Sequence, residues 1–304
     1  MGWIKDYPDI RDFSVAADKP AVEKENKRGK QKGGEKDKEE KEAALKGMLQ
    51  KVGIEGSPQL EAAAPAQVDL REWCSQVENQ LTLGSCTANA AVGVLEYYEK
   101  RAFGKHLEAS RLFVYKTTRN LLNWTGDTGA YLRSTMASMA VFGIALEKYW
   151  PYDIGKYENE PPAFIYAMAQ NYKAITYYRL DPQGTPFPTV LTAVKTQLQA
   201  GLPAMFGFTC YSSLYDAANG KIPFPAATEK VVGGHAVVAV GYDDNIVIGA
   251  NKTKGALIIR NSWGTGWGMS GYGYLPYEYV LKGLAVDFWV LIKNEWIDTG
   301  KFGL

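Results

Sequence analysis

A chain of 304 residues with 46% apolar content can bury one large core or two joined halves. Lys and Arg number 34 against 33 Asp and Glu, so no charge excess points to nucleic acid or an anionic membrane as partner. Three cysteines and two histidines are too few for a disulfide framework or a structural zinc site, no metal or other cofactor is expected, and no run of about 18 apolar residues suggests a membrane span.

Residues 1–18 read as a short ordered piece, with Trp3, Ile4, Tyr7, Ile10 and Phe13 as apolar anchors among acids and Pro8. No basic stretch followed by an apolar one stands here. As given, the chain carries no secretory leader, so it is expected to be cytoplasmic, or secreted if a leader was removed. Residues 19–67 read as a charged flexible linker. Lys, Glu, Gly and Gln dominate its first half, and Val22 is the sole large apolar residue between Ala21 and Ala43. A short helix is expected over 43–52, followed by a loop rich in Ala and Pro.

The globular part is expected over 68–304. Ser85 stands where a helix N-cap is wanted, and Val92, Leu95 and Tyr98 follow at the spacing of one helix face, with Gly104 as the stop. Residues 110–122 and 131–142 also read as helices, the second ended by Gly143. A further helix over 189–200 closes at Gly201. Strands then dominate, over 204–209, 235–241, 246–249, 256–260, 271–275 and 288–292. The unbroken apolar run Ala236-Val237-Val238-Ala239-Val240 suits a strand buried on both faces. The class is therefore α+β, with a mainly helical half at 68–185, a mainly β half at 186–304, and a cleft between them.

Three stretches carry chemistry. Cys86 opens the helix, where unpaired N–H groups and the macrodipole favour a thiolate. His235 begins the buried strand, and Asn261 follows the strand Leu257-Ile258-Ile259. A thiol, an imidazole and an amide supply a nucleophile, its proton partner and the group that orients that partner. Gln80, six positions before Cys86, offers an N–H donor for a developing oxyanion. Trp263 could cover the imidazole–amide hydrogen bond, and the glycines from 264 to 273 allow a tight turn around Trp267. Alone, each residue is ordinary. Together their order and spacing are restrictive: Cys86 and His235 lie 149 positions apart, inside the roughly 130–150 found in papain-type enzymes.

Gln80-x5-Cys86, Gly234-His235-Ala236-Val237-x-Ala239-Val240-Gly241-Tyr242 and Asn261-Ser262-Trp263-Gly264-Thr265-Gly266-Trp267-Gly268 resemble the papain-like cysteine peptidase family. The resemblance runs from about Val68 to the C-terminus. Absent disulfides, the Gly-Ser-Cys-Thr-Ala-Asn run and the opening Gly-Trp-Ile-x-Asp-x-Pro-Asp-x-Arg-Asp are similar to its prokaryotic branch. It implies a helical left lobe, an antiparallel barrel-like right lobe and a peptide or protein substrate in the cleft. It further implies Cys86 as nucleophile, His235 as acid and base, Asn261 as its orienter, and Gln80 with the Cys86 N–H as oxyanion hole. Gly129, in Asp127-Thr128-Gly129-Ala130, becomes the expected substrate-backbone contact, with Trp263 beside the substrate. Asp287 falls near the floor of the main side-chain pocket, where it either favours a basic residue second before the cut or bonds to backbone. Leu83, Thr87 and Gly234 depart from the usual residues of the family.

The reading that follows is a monomeric cysteine endopeptidase working through a thioester. Acyl transfer to an amine and peptide binding without catalysis are the alternatives. The anchored segment Trp3–Phe13 is expected either to lie in the cleft as a built-in inhibitor, with the linker as its cut site, or to be a surface strap.

Overall fold

The apolar run after His235 becomes the centre of an extended sheet. In this computed structural model the described residues are 1–9, 12–14, 32–54, 64–173, 175–249 and 252–303. Helix α1 (Lys32–Lys51) precedes a short strand β1 (Gln67–Asp69), and helices α2 (Cys86–Phe103), α3 (Arg111–Leu121), α4 (Leu132–Phe142) and α5 (Ala163–Ala169) follow. Strand β2 (Thr176–Arg179) and helix α6 (Phe187–Gln199) lead into β3 (Ala204–Tyr211), β4 (Val231–Ile248), β5 (Thr253–Arg260) and β6 (Tyr272–Pro276). Helix α7 (Tyr277–Leu281), strand β7 (Ala285–Ile292) and helix α8 (Asn294–Ile297) complete the order.

The sheet runs β2-β7-β3-β4-β5-β6, with β1 also on β4, and every pairing is antiparallel. This is the expected α+β class. The two strands expected over 235–241 and 246–249 form a single β4, because register shifts after Ala239 and Asp243 absorb the intervening polar residues. Strands β1 and β2 come from the helical half and join the sheet of the other.

Helix α2 packs against β4 and is buried along almost its whole length. Its small residues allow the approach: a Cβ on Gly93 would lie 2.0 Å from Arg260 Nη1. Gly104 closes α2 in the left-handed region (φ 74°), the conformation a glycine stop adopts at low cost.

Within the expected linker, residues 32–51 are helical rather than flexible. Two features explain the difference. Lys41–Asp37 (2.8 Å) and Lys38–Glu42 (3.9 Å) pair one turn apart on the polar side. Leu45, Met48, Leu49 and Val52 are buried at the i, i+3, i+4, i+7 spacing of one helical stripe. That stripe packs α1 onto α8, where Lys51 also pairs with Asp298 at 2.7 Å. The remaining linker positions 19–31 and 55–63, and the anchor Ile10, lie outside the described residues. Cys74, Cys86 and Cys210 are all free and buried.

Candidate active site

Cys86 is the first residue of α2. Ser85 precedes it at the cap position, but the expected side-chain cap is not made. Ser85 Oγ instead meets the Tyr152 hydroxyl at 2.6 Å and accepts from Asn89 Nδ2 at 3.0 Å. Tyr152 in turn donates to the Gln80 carbonyl at 2.9 Å, so the turn before the cysteine is tied to the rest of the helical half. The Gly84 N–H donates to the Asp127 carboxylate at 2.9 Å, and Tyr115 donates to the same carboxylate at 2.6 Å. Asp127 therefore joins the nucleophile turn to the 127–130 wall.

The other half meets this turn edge to edge. Gln80 N–H donates to the Ser262 carbonyl at 2.8 Å, Gly264 N–H to the Glu78 carbonyl at 2.9 Å, and Asn79 bridges to Trp263. Ser262 Oγ donates to Gln80 Oε1 at 2.6 Å, and Gln80 Nε2 donates to the Leu83 carbonyl at 2.9 Å. An amide nitrogen carries two hydrogens, and the second remains for a ligand.

His235 and Asn261 are brought together as expected. Asn261 Oδ1 lies 2.7 Å from His235 Nε2 and also accepts the Ser262 N–H at 2.7 Å. The second bond fixes that atom as oxygen, so His235 Nε2 carries the proton. In a neutral ring Nδ1 is then the basic nitrogen, and it has no hydrogen-bond partner among the described residues. Trp263 stacks on the imidazole at 4.8 Å between centroids, and Tyr215 stacks on the outer face of Trp263 at 5.8 Å.

Both Cys86 and His235 are 0% exposed, because the N-terminal segment lies over them. Trp3 N–H donates to the Gly234 carbonyl (3.3 Å), Ile4 N–H to the Ala130 carbonyl (3.1 Å), and Ala130 N–H to the Gly2 carbonyl (2.8 Å). Trp3 thus pairs parallel with Ala130. The strap's backbone hydrogen bonds in this wall fall on Ala130. Gly129 itself donates to the Tyr115 hydroxyl at 3.1 Å, and its missing Cβ makes room for Gly2, whose oxygen would lie 2.1 Å away. Burial raises the Cys86 thiol pKa, against the N–H groups of Ala236, Gly2 and Thr87. Burial also lowers His235 to about 4, although the Asn261 bond opposes it. Near neutral pH the covered pair is an uncharged thiol and an uncharged imidazole.

Asp287 is buried at the floor beneath Trp3. Its Oδ2 accepts Trp3 Nε1 at 3.1 Å, and its Oδ1 accepts Trp289 Nε1 at 2.7 Å and faces Arg179 at 3.1 Å. Two indole N–H groups and one guanidinium surround the carboxylate. Burial raises its pKa to about 6 and Arg179 opposes the rise.

The segment is clamped further along by residues that sequence reasoning did not single out. Arg133 Nε and Nη2 donate to Asp12 at 2.8 Å, Nη2 also to the Tyr7 carbonyl at 2.8 Å, and Nη1 pairs with Asp6 at 2.7 Å. Arg179 N–H donates to the Phe13 carbonyl at 2.6 Å. The acids of the opening motif were the visible signal; their partners lie more than 100 positions away. Among the described residues, the grouping with metal-ligand geometry is Glu96, His106 and Glu108. Both Glu96 oxygens there already accept hydrogen bonds, from Ser75 Oγ at 2.6 Å and Ala109 N–H at 3.0 Å.

The Cys86 sulfur lies against the backbone N–H of Ala236, the residue after the His235 that Asn261 orients, and these are the residue types of a thiol peptidase. The profile described as papain family cysteine protease matches residues 64–285, and the chain belongs to that family. It is therefore a cysteine peptidase, a hydrolase acting on peptide bonds. It is 33% identical to an uncharacterised peptidase C1-like protein of Acanthamoeba polyphaga mimivirus over 96% of this chain and 86% of that one. It is 34% identical to cathepsin K of Gallus gallus over 71% of this chain and 60% of that protein. Xylellain, a cysteine protease from Xylella fastidiosa, superposes with a TM-score of 0.68 at 30% identity, covering 96% and 95% of the two chains. The bromelain protease from Ananas comosus, solved with the E64 inhibitor, shares the fold at a TM-score of 0.57 and 22% identity.

Proposed function

We propose that this chain is an endopeptidase held latent by its own residues 1–14. The observation that carries the reading is Gly2 lying beside Cys86 with Trp3 hydrogen-bonded to Gly234 on one side and paired with Ala130 on the other. The Gly2 carbonyl accepts from Ala130 N–H while the Gly2 N–H faces the sulfur, so the strap presents a donor rather than a free carbonyl to the nucleophile.

Once the strap leaves, Cys86 Sγ gives its proton to His235 Nδ1 and attacks a substrate carbonyl carbon. The second Nε2 hydrogen of Gln80 and the Cys86 N–H stabilise the oxyanion. The imidazolium returns its proton to the amine nitrogen as the C–N bond breaks, leaving a thioester. Water then attacks the thioester, His235 takes its proton, the C–S bond breaks and the sulfur recovers the proton. Asn261 keeps Nε2 protonated throughout, so Nδ1 faces the chemistry. Affinity with the prokaryotic branch is supported by the Gly-Ser-Cys-Thr-Ala-Asn run and by the bacterial xylellain, beside viral and vertebrate relatives.

Hydrolysis of coumarinyl peptide amides by the full chain and by Trp3→Ala is the direct test. Trp3→Ala is expected to hydrolyse at least about tenfold faster, and Trp3→Ala with Cys86→Ala not at all. Equal rates with and without Trp3 would remove latency; hydrolysis surviving Cys86→Ala would remove the mechanism. Product analysis with an added amine separates hydrolysis from acyl transfer.

A further inference from the structure

The pocket under the strap has an unusual floor. Asp287 is buried and sits at φ 65°, a strained conformation for a residue other than glycine. That backbone presents its carboxylate to two indoles and one guanidinium. The walls are glycines: a Cβ on Gly207 would lie 1.8 Å from Trp3 Cε2, and one on Gly234 would lie 2.8 Å from Trp3 Cε3. Space for a wide flat ring and an acceptor for its N–H are thus supplied together.

A lone buried carboxylate would attract a cation. This one is already paired. With the strap gone, Asp6 and Asp12 go with it, and the side chains left around the floor are Arg133, Arg179, Asp181 and Asp287. Two positive and two negative groups balance. A Lys or Arg entering from a substrate would add a buried charge with no partner, which costs more than the contact returns. An indole adds no charge and satisfies the open acceptor on Asp287 Oδ2, a hydrogen bond to an ionised group.

We infer that this pocket selects tryptophan, so that the preferred substrates carry an indole second before the cut and basic residues there are rejected. The inference rests on the peptide-cleaving reading of the cleft. Two measurements on the full chain keep the two apart. In the first, Trp3→Ala is offered acyl-X-Arg coumarinyl amides with X as Trp, benzothienylalanine, Phe, Arg or Lys. Benzothienylalanine keeps the ring shape and lacks the N–H. The Trp substrate is expected to exceed benzothienylalanine and Phe by about tenfold in kcat/KM, with Arg and Lys lowest. Arg or Lys matching Trp, or benzothienylalanine matching it, would overturn the inference. In the second, iodoacetamide labelling of Cys86 is followed by mass spectrometry in the wild type, Trp3→Phe and Trp3→Arg, with no catalysis required. Labelling is expected slowest in the wild type, about tenfold faster in Trp3→Phe and fastest in Trp3→Arg. Equal rates across the series, or Trp3→Arg as slow as wild type, would equally overturn it. A panel with no cleaved member beside the expected labelling order would defeat the peptidase reading and leave the pocket assignment standing.

Discussion

Gly2 is the residue on which the closed state turns. A Cβ there would sit 1.8 Å from the Gly84 carbonyl oxygen and 2.4 Å from its carbon. Gly84 is itself fixed by Asp127, so the backbone cannot give way. Gly2→Ala should therefore lift the strap without disturbing the core, and hydrolysis by the full chain should rise at least about tenfold. The same variant separates the protonation states. In the covered form the thiol pKa lies above its ordinary value, so the thiolate fraction falls about tenfold for each pH unit below that pKa. Alkylation of the wild type should climb steeply through the alkaline range and be slow at pH 5–6. Gly2→Ala, with the thiol free to pair with His235, should alkylate at pH 5–6; a wild-type profile already flat in that range would contradict a buried neutral thiol. The nucleophile, its partner and the orienting amide were legible because their chemistry demands those residue types in that order. Arg133, Arg179 and Asp127 were not, since an arginine or aspartate becomes a clamp only through the fold that faces it.

Among the elements, those with their own punctuation were readable. Helix α2 has Gly104 and an apolar face, α4 has Gly143, and the apolar run of β4 is continuous. Strands β1 and β2 were not readable. Each has three or four residues and exists by pairing with β4 or β7, more than 100 positions away. Helix α1 was half readable: charges hid its first turns, and only the buried stripe from Leu45 to Val52 announced it. That stripe should supply most of its stability, because an isolated charged helix of this length is marginal in water. Leu49→Ala should cost about 2–4 kcal/mol of local stability. Amide exchange across 45–54 should quicken accordingly, and unchanged protection there would mean that α1 stands without its packing on α8.

At the scale of the whole molecule, residues 1–9 and 12–14 act as a stitch between halves. Trp3 and Asp287 anchor the stitch in the β half, Ala130 and Gly84 line it in the helical half, and Arg133 of α4 grips Asp6 and Asp12. These two kinds of contact answer salt in opposite directions. Burial of Trp3 is apolar and salting-out ions strengthen it. The Arg133 cluster is ionic and about a quarter exposed, so raising ionic strength from 0.1 to 1 M, which shortens the screening length from about 10 to 3 Å, weakens it. Chloride salts out weakly, and with sodium chloride the ionic term should dominate. Full-chain hydrolysis should rise severalfold with that salt. The pair Asp6→Asn and Asp12→Asn should reach a comparable rate at low salt and lose the salt response, because Arg133 then has no strap carboxylate to release. Salt activation undiminished in that double variant would place the ionic part of the latch at charges other than the Arg133 cluster.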